Sequence, residues 1–334
     1  MQPLHVAIVG ATGAVGKELL ALLEKSPLSL RKLTCFASPK SIGKTITFRR
    51  EHLSIESLST HCFTGVDLAL FCAGKEIAKM WASKAVAEGA LVIDNSSAFR
   101  RDANVPLVIP EINPEALSQH RGIIASPNCT TTLMLMALFP LHNVNPIQRI
   151  HAATYQAISG AGQKAMDELL QEMRLSLEGG TYQPMSYPYP LAWNLFTHNS
   201  PMQENGYVEE ELKMVHETHK ILNDETIAVH ATCVRVPVLR AHSIALHVTC
   251  KEPVEMKRMI SLLQCAPGIC ISENVPHMPL DASGQGAVFC SRIRQDLFDP
   301  HALSLWVVGD QLLKGAALNV LQIAEKIFLA YIHQ

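Results

Sequence analysis

A glycine-rich stretch close to the N-terminus, Gly10-Ala-Thr-Gly13-Ala-Val-Gly16, constrains the fold of this 334-residue chain more than any other feature. It ends a stretch, His5 to Gly10, that reads as a short buried strand through Val6, Ala7, Ile8 and Val9. It opens a stretch in which Val15, Leu19, Leu20 and Leu23 keep helical spacing. Glycines at such a strand-to-helix turn let backbone N–H groups approach a pyrophosphate at the helix N-terminus. The pattern is weak alone and gains strength from this flanking context. Further strands are expected at Arg31 to Ala37, Leu68 to Cys72 and Leu91 to Asp94, with a helix from Ile77 to Glu88. Strands alternating with helices imply a parallel, doubly wound, Rossmann-type sheet with its ligand at the carboxyl ends of the strands.

A chain of this length exceeds one hydrophobic core, so two domains are expected. Past residue 130, Ile150 to Ala157, Thr226 to Val236 and His242 to Cys250 read as longer strands rich in Val, Ile and Thr, which suggests an α+β domain with a mixed sheet. Gly179 to Asn205, rich in Pro, Tyr, Gly and Asn, reads as an irregular surface excursion, a candidate interface or lid. The expected division is residues 1–128 and 129–309, with an amphipathic helix at 310–332 packing back on the first domain.

Composition excludes several function classes. Lys and Arg (28) nearly balance Asp and Glu (30), without a basic run, which argues against a nucleic-acid partner and for a small-molecule substrate. The longest apolar stretch, Leu133 to Leu141, is far shorter than the roughly 20 residues that a membrane helix needs. The N-terminus does not read as a signal peptide, so the expected location is cytoplasmic. The nine cysteines lack CxxC pairing and are expected to be reduced and mostly buried.

The second strand ends in Ala37-Ser38-Pro39-Lys40-Ser41, where an NAD-type site usually carries Asp or Glu for the ribose 2′-hydroxyl. A cation and hydroxyls suit a 2′-phosphate, which favours NADP. Ala73-Gly74 and Asn95-Ser96-Ser97 lie at further strand ends on the same side. The reactive centre is sought at Cys129, because Ser126-Pro-Asn128-Cys129-Thr130 directly precedes an almost wholly apolar helix. The dipole and open N–H groups at such a start stabilise a thiolate. A thiolate nucleophile needs a proton partner, and spacing does not choose among 15 histidines. Arg235 and His242 bracket a strand turn, where a guanidinium could fork a carboxylate beside an imidazole; a histidine in such a place is more often than not a satisfied structural one. His216 and His219 are one helical turn apart, but nothing completes a ligand set, and no metal site is expected.

Four segments together, Gly10 to Gly16, Ser126 to Thr131, Thr154 to Gly162 and Arg235 to Ser243, resemble the bacterial-type aspartate-semialdehyde dehydrogenases. Glu209 to Lys213 and Leu305 to Asn319 also look like that family, and the joint order is much more specific than any one motif. The resemblance implies Cys129 as nucleophile, His242 as acid/base, Gln156 as substrate-orienting residue and Arg235 as carboxylate binder. It places Arg100, Asn128 and Lys213 around a phosphate and Glu210 near the substrate amino group. For the cofactor it marks Thr12, Gly13, Ala14, Val15, Lys40, Ser41, Ser159, Gly160 and Asn319, which join Gly10, Gly16, Ser38, Ala73 and Gly74 read from the strand ends. The implied reaction is NADPH-dependent reductive dephosphorylation of L-aspartyl 4-phosphate, a step toward lysine and diaminopimelate, methionine and threonine, by a homodimer or homotetramer. The chain departs from the family at Pro39, Lys40 and Lys75, where Ala, Arg and Gly are common. An N-acetyl-glutamyl-phosphate reductase would run the same chemistry on a similar plan; Asn128, Thr130-Thr131 and the Glu210/Lys213 pair favour the aspartyl enzyme. A catalytically silent NADP-binding paralogue would lack Cys129 or His242, and both are present.

Overall fold

The computed structural model describes residues 2–272 and 275–329. The chain forms two compact units, one from residues 1–128 and 316–334, the other Cys129–Gly315.

The first unit is built on a sheet of β1 (Leu4–Val9), β2 (Leu30–Phe36), β3 (Thr45–Phe48), β4 (Glu51–Glu56), β5 (Leu68–Phe71), β6 (Leu91–Asp94) and β7 (Ile123–Ala125), in the order β3-β4-β2-β1-β5-β6-β7. All its pairings are parallel except the β3/β4 hairpin. Every residue of β1 and β5 is buried, as befits central parallel strands covered on both faces. Helix α1 (Ala14–Lys25) turns Leu19, Leu20 and Leu23 onto one face, and α2 (Lys75–Ala87) turns Ala78, Ala82 and Ala85 onto the other. Since β2 lies on one side of β1 and β5 on the other, the strand order reverses at β1, which opens a crevice at the carboxyl ends. Gly10 ends β1 with φ of +94°, and a Cβ there would lie 2.9 Å from the Cys72 carbonyl carbon. Only glycine fits this position.

The hairpin of β3 and β4 is not anticipated by the sequence. Its turn residues, Arg49 and Arg50, both hold positive φ (48° and 68°), a conformation normally signalled by Gly or Asn. The Arg49 backbone N–H donates to Glu24 Oε1 at 2.8 Å, and that bond helps hold the turn.

The second unit begins with α3 (Cys129–His142), followed by β8 (Ile147–Gln156), α4 (Gln163–Leu177), β9 (Phe196–Thr197), α5 (Glu209–Leu222), β10 (Ala228–Arg235) and β11 (His242–Cys250). It continues with α6 (Met256–Cys265), β12 (Ile269–Ser272), a short α7 (Pro279–Ala282), β13 (Val288–Gln295) and β14 (Ala302–Gly309). The sheet order is β12-β13-β14-β11-β8-β10-β9 and the pairing is mixed: β8 runs parallel to β10 and antiparallel to β11. Helix α3 is apolar around most of its circumference and buried from Thr130 to Leu138. Such a helix needs cover on all sides, and it packs on β8, β11, β13, β14, α5 and α6. In the irregular segment 179–205, buried carboxylates of α4 stand in for a regular ladder. Glu168 accepts the backbone N–H groups of Met185 and Ser186, and Glu172 those of Leu191 and Ala192.

The last helix differs from the expected 310–332. Residues 310–312 form a turn and Leu313–Ala317 is a π-helical turn, after which α8 (Leu318–Leu329) is regular; residues 330–332 lie outside the described residues. Asp310 fixes the boundary, because its carboxylate accepts the Leu312 N–H at 2.9 Å and Arg240 Nε at 2.6 Å. Helix α8 places Val320, Leu321, Ile323 and Ala324 in the same core as β1, β5 and α1. Among the described residues, no helix is long and apolar enough to cross a membrane.

Candidate active site

In the second unit, the carboxyl ends of the parallel strands β8 and β10 and the start of antiparallel β11 share one edge of the sheet. Gln156, Arg235 and His242 therefore come together, with Gln156 and Arg235 directly paired in register. Cys129 opens α3, and its Sγ lies 3.5 Å from His242 Nε2 and 3.9 Å from Thr130 Oγ1. A thiol at a helix start, facing an imidazole, has the geometry of an activated nucleophile.

His242 is fully buried. Burial, then the Arg235 charge, pull its pKa down to about 3, while Glu210 opposes the shift; the ring is neutral near neutral pH. Its Nδ1 accepts the Ala157 backbone N–H at 2.9 Å, and the Ala157 carbonyl accepts Arg235 Nη1 at 2.7 Å. One residue after β8 thus aligns both the imidazole and the guanidinium through its backbone. Arg235 Nη2 donates to His198 Nε2 at 3.0 Å, whereas its buried Nε has no hydrogen-bond partner among the described residues. A buried guanidinium N–H without an acceptor is costly, and a ligand carboxylate would remove that cost.

Gln156 Nε2 donates to Thr130 Oγ1 at 3.0 Å and to Glu210 Oε1 at 3.1 Å. The acceptor-only carboxylate fixes the amide's orientation and leaves Gln156 Oε1 buried without a hydrogen-bond partner among the described residues. Glu210 Oε2 pairs with Lys213 Nζ at 2.9 Å, one turn along α5. Gly160 lies against the same group, since a Cβ there would come within 3.2 Å of Arg235 Nη1 and 3.3 Å of His242 Cε1. The buried Ser159 hydroxyl accepts a hydrogen bond from Gln311 Nε2.

In the first unit, Arg100 donates through Nε to the Ser126 carbonyl at 2.9 Å and through Nη2 to the Asn95 carbonyl at 2.8 Å. Asn319 Nδ2 donates to Ser126 Oγ and to the Val108 carbonyl, each at 3.0 Å. Arg100 and Asn319 therefore both hold the Ser126 segment that leads to Asn128. The nucleotide-type residues line the carboxyl ends of β1, β2 and β5. Gly13 caps α1 without a side-chain bond and the first turn carries no acidic residue, so these N–H groups suit an anion. Lys40 is exposed beside buried Ser41, whose hydroxyl lies 3.4 Å from Thr12 Oγ1. Gly74 caps α2 with open space where a Cβ would stand. This donor set fits a dinucleotide.

Sequence reasoning passes over two residues at this site. His198 comes from the irregular segment, and its pKa is held at about 4, by burial first and then by Arg235 and Lys213 against Glu210. Nothing distinguishes it from the other histidines in sequence. Gly315 lies within the π-helical turn, and a Cβ there would sit 2.7 Å from Cys129 Cβ. An isolated glycine inside a helical apolar run is its only signal.

Residues 5–120 match the family model described as semialdehyde dehydrogenase, NAD binding domain, and residues 138–314 match semialdehyde dehydrogenase, dimerisation domain. A nucleotide-binding semialdehyde dehydrogenase is therefore the class that the fold and these matches define. The chain is 52% identical to an aspartate-semialdehyde dehydrogenase of a Synechocystis species, over 97% of both chains. It is 41% identical to that of Bacillus subtilis, over 97% of both. The crystal structure of aspartate semialdehyde dehydrogenase II from Vibrio cholerae, complexed with ASA, superposes with a TM-score of 0.96 at 39% identity and covers 99% of this chain and 100% of that one. This chain belongs to the aspartate-semialdehyde dehydrogenase family.

Proposed function

We propose that this enzyme reduces L-aspartyl 4-phosphate to L-aspartate 4-semialdehyde through a thioester on Cys129. The observation that carries the proposal is the Cys129 sulfur at the α3 start facing His242 Nε2 at 3.5 Å, with Arg235 Nε buried on the same sheet edge and without a partner among the described residues. The Cys129 thiolate attacks the acyl carbon and forms the C–S bond. The bond to phosphate breaks with its electron pair on the phosphate, which takes a proton from water. NADPH, when bound, supplies a hydride to the acyl carbon. The C–S bond then breaks and the sulfur leaves as thiolate, ready for another turn.

In this reading, Arg235 forks the substrate α-carboxylate and Glu210 meets its ammonium group. Gln156 Oε1 accepts an N–H from the substrate, and Lys213, Arg100 and Asn128 receive the phosphate. The first unit is the NADP-binding domain, with α8 packed in its core, and the second is the catalytic and dimerisation domain. Gly10, Thr12, Gly13, Ala14, Val15 and Gly16 would hold the pyrophosphate, and Ser38, Lys40 and Ser41 the 2′-phosphate. Ala73, Gly74, Ser159, Gly160 and Asn319 would shape the rest of that site. The protein works as a cytoplasmic homodimer, or as a tetramer made of two such dimers, where reduced cysteines persist.

The test is phosphate-dependent reduction of NADP with aspartate semialdehyde, run beside N-acetyl-glutamate semialdehyde. Turnover of the first alone is the expected result, and preference for the second would defeat the reading. For the cofactor, Lys40→Ala should raise the KM for NADP about tenfold and leave that for NAD nearly unchanged, as expected for loss of one charge-assisted contact. Equal changes for both cofactors would remove Lys40 from the 2′-phosphate.

A further inference from the structure

We propose that His198 is a positioning residue for substrate recognition: its Nε2 holds the Arg235 guanidinium in line for the substrate α-carboxylate, and the stretch from His198 to Pro201 sets the span between Arg235 and Glu210. The inference deepens the reading of Arg235 as carboxylate binder and Glu210 as ammonium partner, and it rests on that reading.

Arg235 closes β10, in register with Phe196 of β9. His198 comes directly after β9, and its backbone N–H donates to the Cys233 carbonyl at 2.7 Å, so its main chain is tied to β10 two residues before Arg235. From there the ring reaches the guanidinium, and Nε2 accepts Arg235 Nη2 at 3.0 Å. The other terminal nitrogen, Nη1, donates to the Ala157 carbonyl at 2.7 Å, just past β8. The guanidinium is thus gripped at both ends, from the two strands that flank β10 in the sheet. Two of its five N–H groups are used, and the buried Nε–H is among those left for a carboxylate.

The ring suits this grip because it is neutral. Burial, foremost, holds its pKa down to about 4, with Glu210 opposing and Arg235 and Lys213 assisting. Two N–H groups approach it, Arg235 Nη2 at 3.0 Å from Nε2 and Ser200 N at 3.2 Å from Nδ1, and a neutral imidazole has one lone pair to offer. The charged donor is the closer one and takes it. Without that acceptor Arg235 would lose a buried hydrogen bond, and the substrate itself would have to order the long side chain.

Two residues further on, Ser200 Oγ accepts the Glu210 backbone N–H at 3.0 Å, and the Pro201 carbonyl accepts that of Glu209 at 3.0 Å. One short stretch therefore touches Arg235 at one end and the first turn of α5 at the other. A substrate that presents an α-carboxylate to Arg235 and an α-ammonium to Glu210 is measured against this span.

The experiment is steady-state kinetics of the full chain, with aspartate semialdehyde, phosphate and NADP varied in turn, for three His198 variants beside Arg235→Lys. The amide of His198→Gln falls where Nε2 stands and keeps an acceptor there. That of His198→Asn falls at the Nδ1 position, and His198→Leu has no acceptor. His198→Gln is expected to stay within about twofold of wild type. His198→Asn and His198→Leu should each raise the KM for the aldehyde about five- to tenfold, the cost of immobilising one long side chain on binding. Their kcat and their constants for phosphate and NADP should change less than about twofold, a split that a merely structural role would not produce. In the Arg235→Lys background His198→Asn should add little, because both changes remove the same contact. An unchanged aldehyde KM in His198→Asn and His198→Leu, or an equal rise in all three constants, overturns the proposal. If Arg235→Lys itself leaves the aldehyde KM unchanged, the carboxylate reading fails and this proposal with it; a rise in Arg235→Lys beside silent His198 variants defeats this proposal alone. N-acetyl-glutamate semialdehyde also carries an α-carboxylate, so the comparison can be made on whichever aldehyde turns over in the assay above.

Discussion

Replacing Cys129 with serine is expected to abolish hydride transfer, with a loss on the order of 10⁴-fold or more in kcat. A serine hydroxyl is not ionised near neutral pH, and the α3 start that stabilises a thiolate cannot bring an alkoxide into reach. What suffices for a thiol therefore does not suffice for an alcohol. The assay is NADPH formation from aspartate semialdehyde and phosphate. Mass spectrometry of the wild-type protein quenched during turnover should find the adduct on the Cys129 peptide. An adduct on another cysteine, with activity retained in Cys129→Ser, would reassign the nucleophile.

The second large effect is expected at a residue with no reactive group. In Gly315→Ala the new methyl would stand 2.7 Å from Cys129 Cβ and 3.2 Å from its Cα, so the first turn of α3 or the π-helical turn has to shift. A displacement approaching 1 Å at a reacting atom costs about 100-fold in rate. The expected outcome is a drop in kcat of about that size in a protein that still folds. Circular dichroism would verify the fold, and slowed alkylation of Cys129 would verify the displacement. Activity within about twofold of wild type would show that the turn yields freely and that close packing against Cys129 is not required.

The sequence makes the first sheet legible where local and long-range demands coincide. Gly10 to Gly16 could be read because the turn, the strand before it and the helix after it each carry their own signal, and the backbone geometry at Gly10 requires that glycine. The α3 start could be read because polar Asn128 and Thr130 give way to the apolar run from Leu133. The β3/β4 hairpin could not, because its turn is made by Arg49 and Arg50 in a conformation that other contacts enforce. Strands β12 to β14 went unread for a similar reason. Their pairing joins β11 to segments far along the chain, and β13 carries an irregularity between Ser291 and Arg294 that breaks its alternation.

At the site, residue types could be proposed but their partners could not. That Gln156 bonds Glu210, or that Arg235 meets His198, follows from which strand ends are neighbours, and no spacing encodes it. Gly315 is the clearest case. The sequence shows a glycine, and only the fold shows that it lies against Cys129.

The first unit's two-part construction has a consequence for how the chain is made. Strands β1 to β7 leave the ribosome early, but the residues of α8 that join their core are translated only after the entire second unit. While Cys129–Gly315 is being synthesised, Val6, Ile8, Leu19 and Leu70 therefore wait with part of their apolar cover still untranslated. The second unit, continuous in sequence, can close as soon as its own last strand emerges. Birth order and completion order are thus reversed: the nucleotide-type unit is the first to appear and the last to be finished, and in the interval its unfinished core is the surface that chaperones would meet.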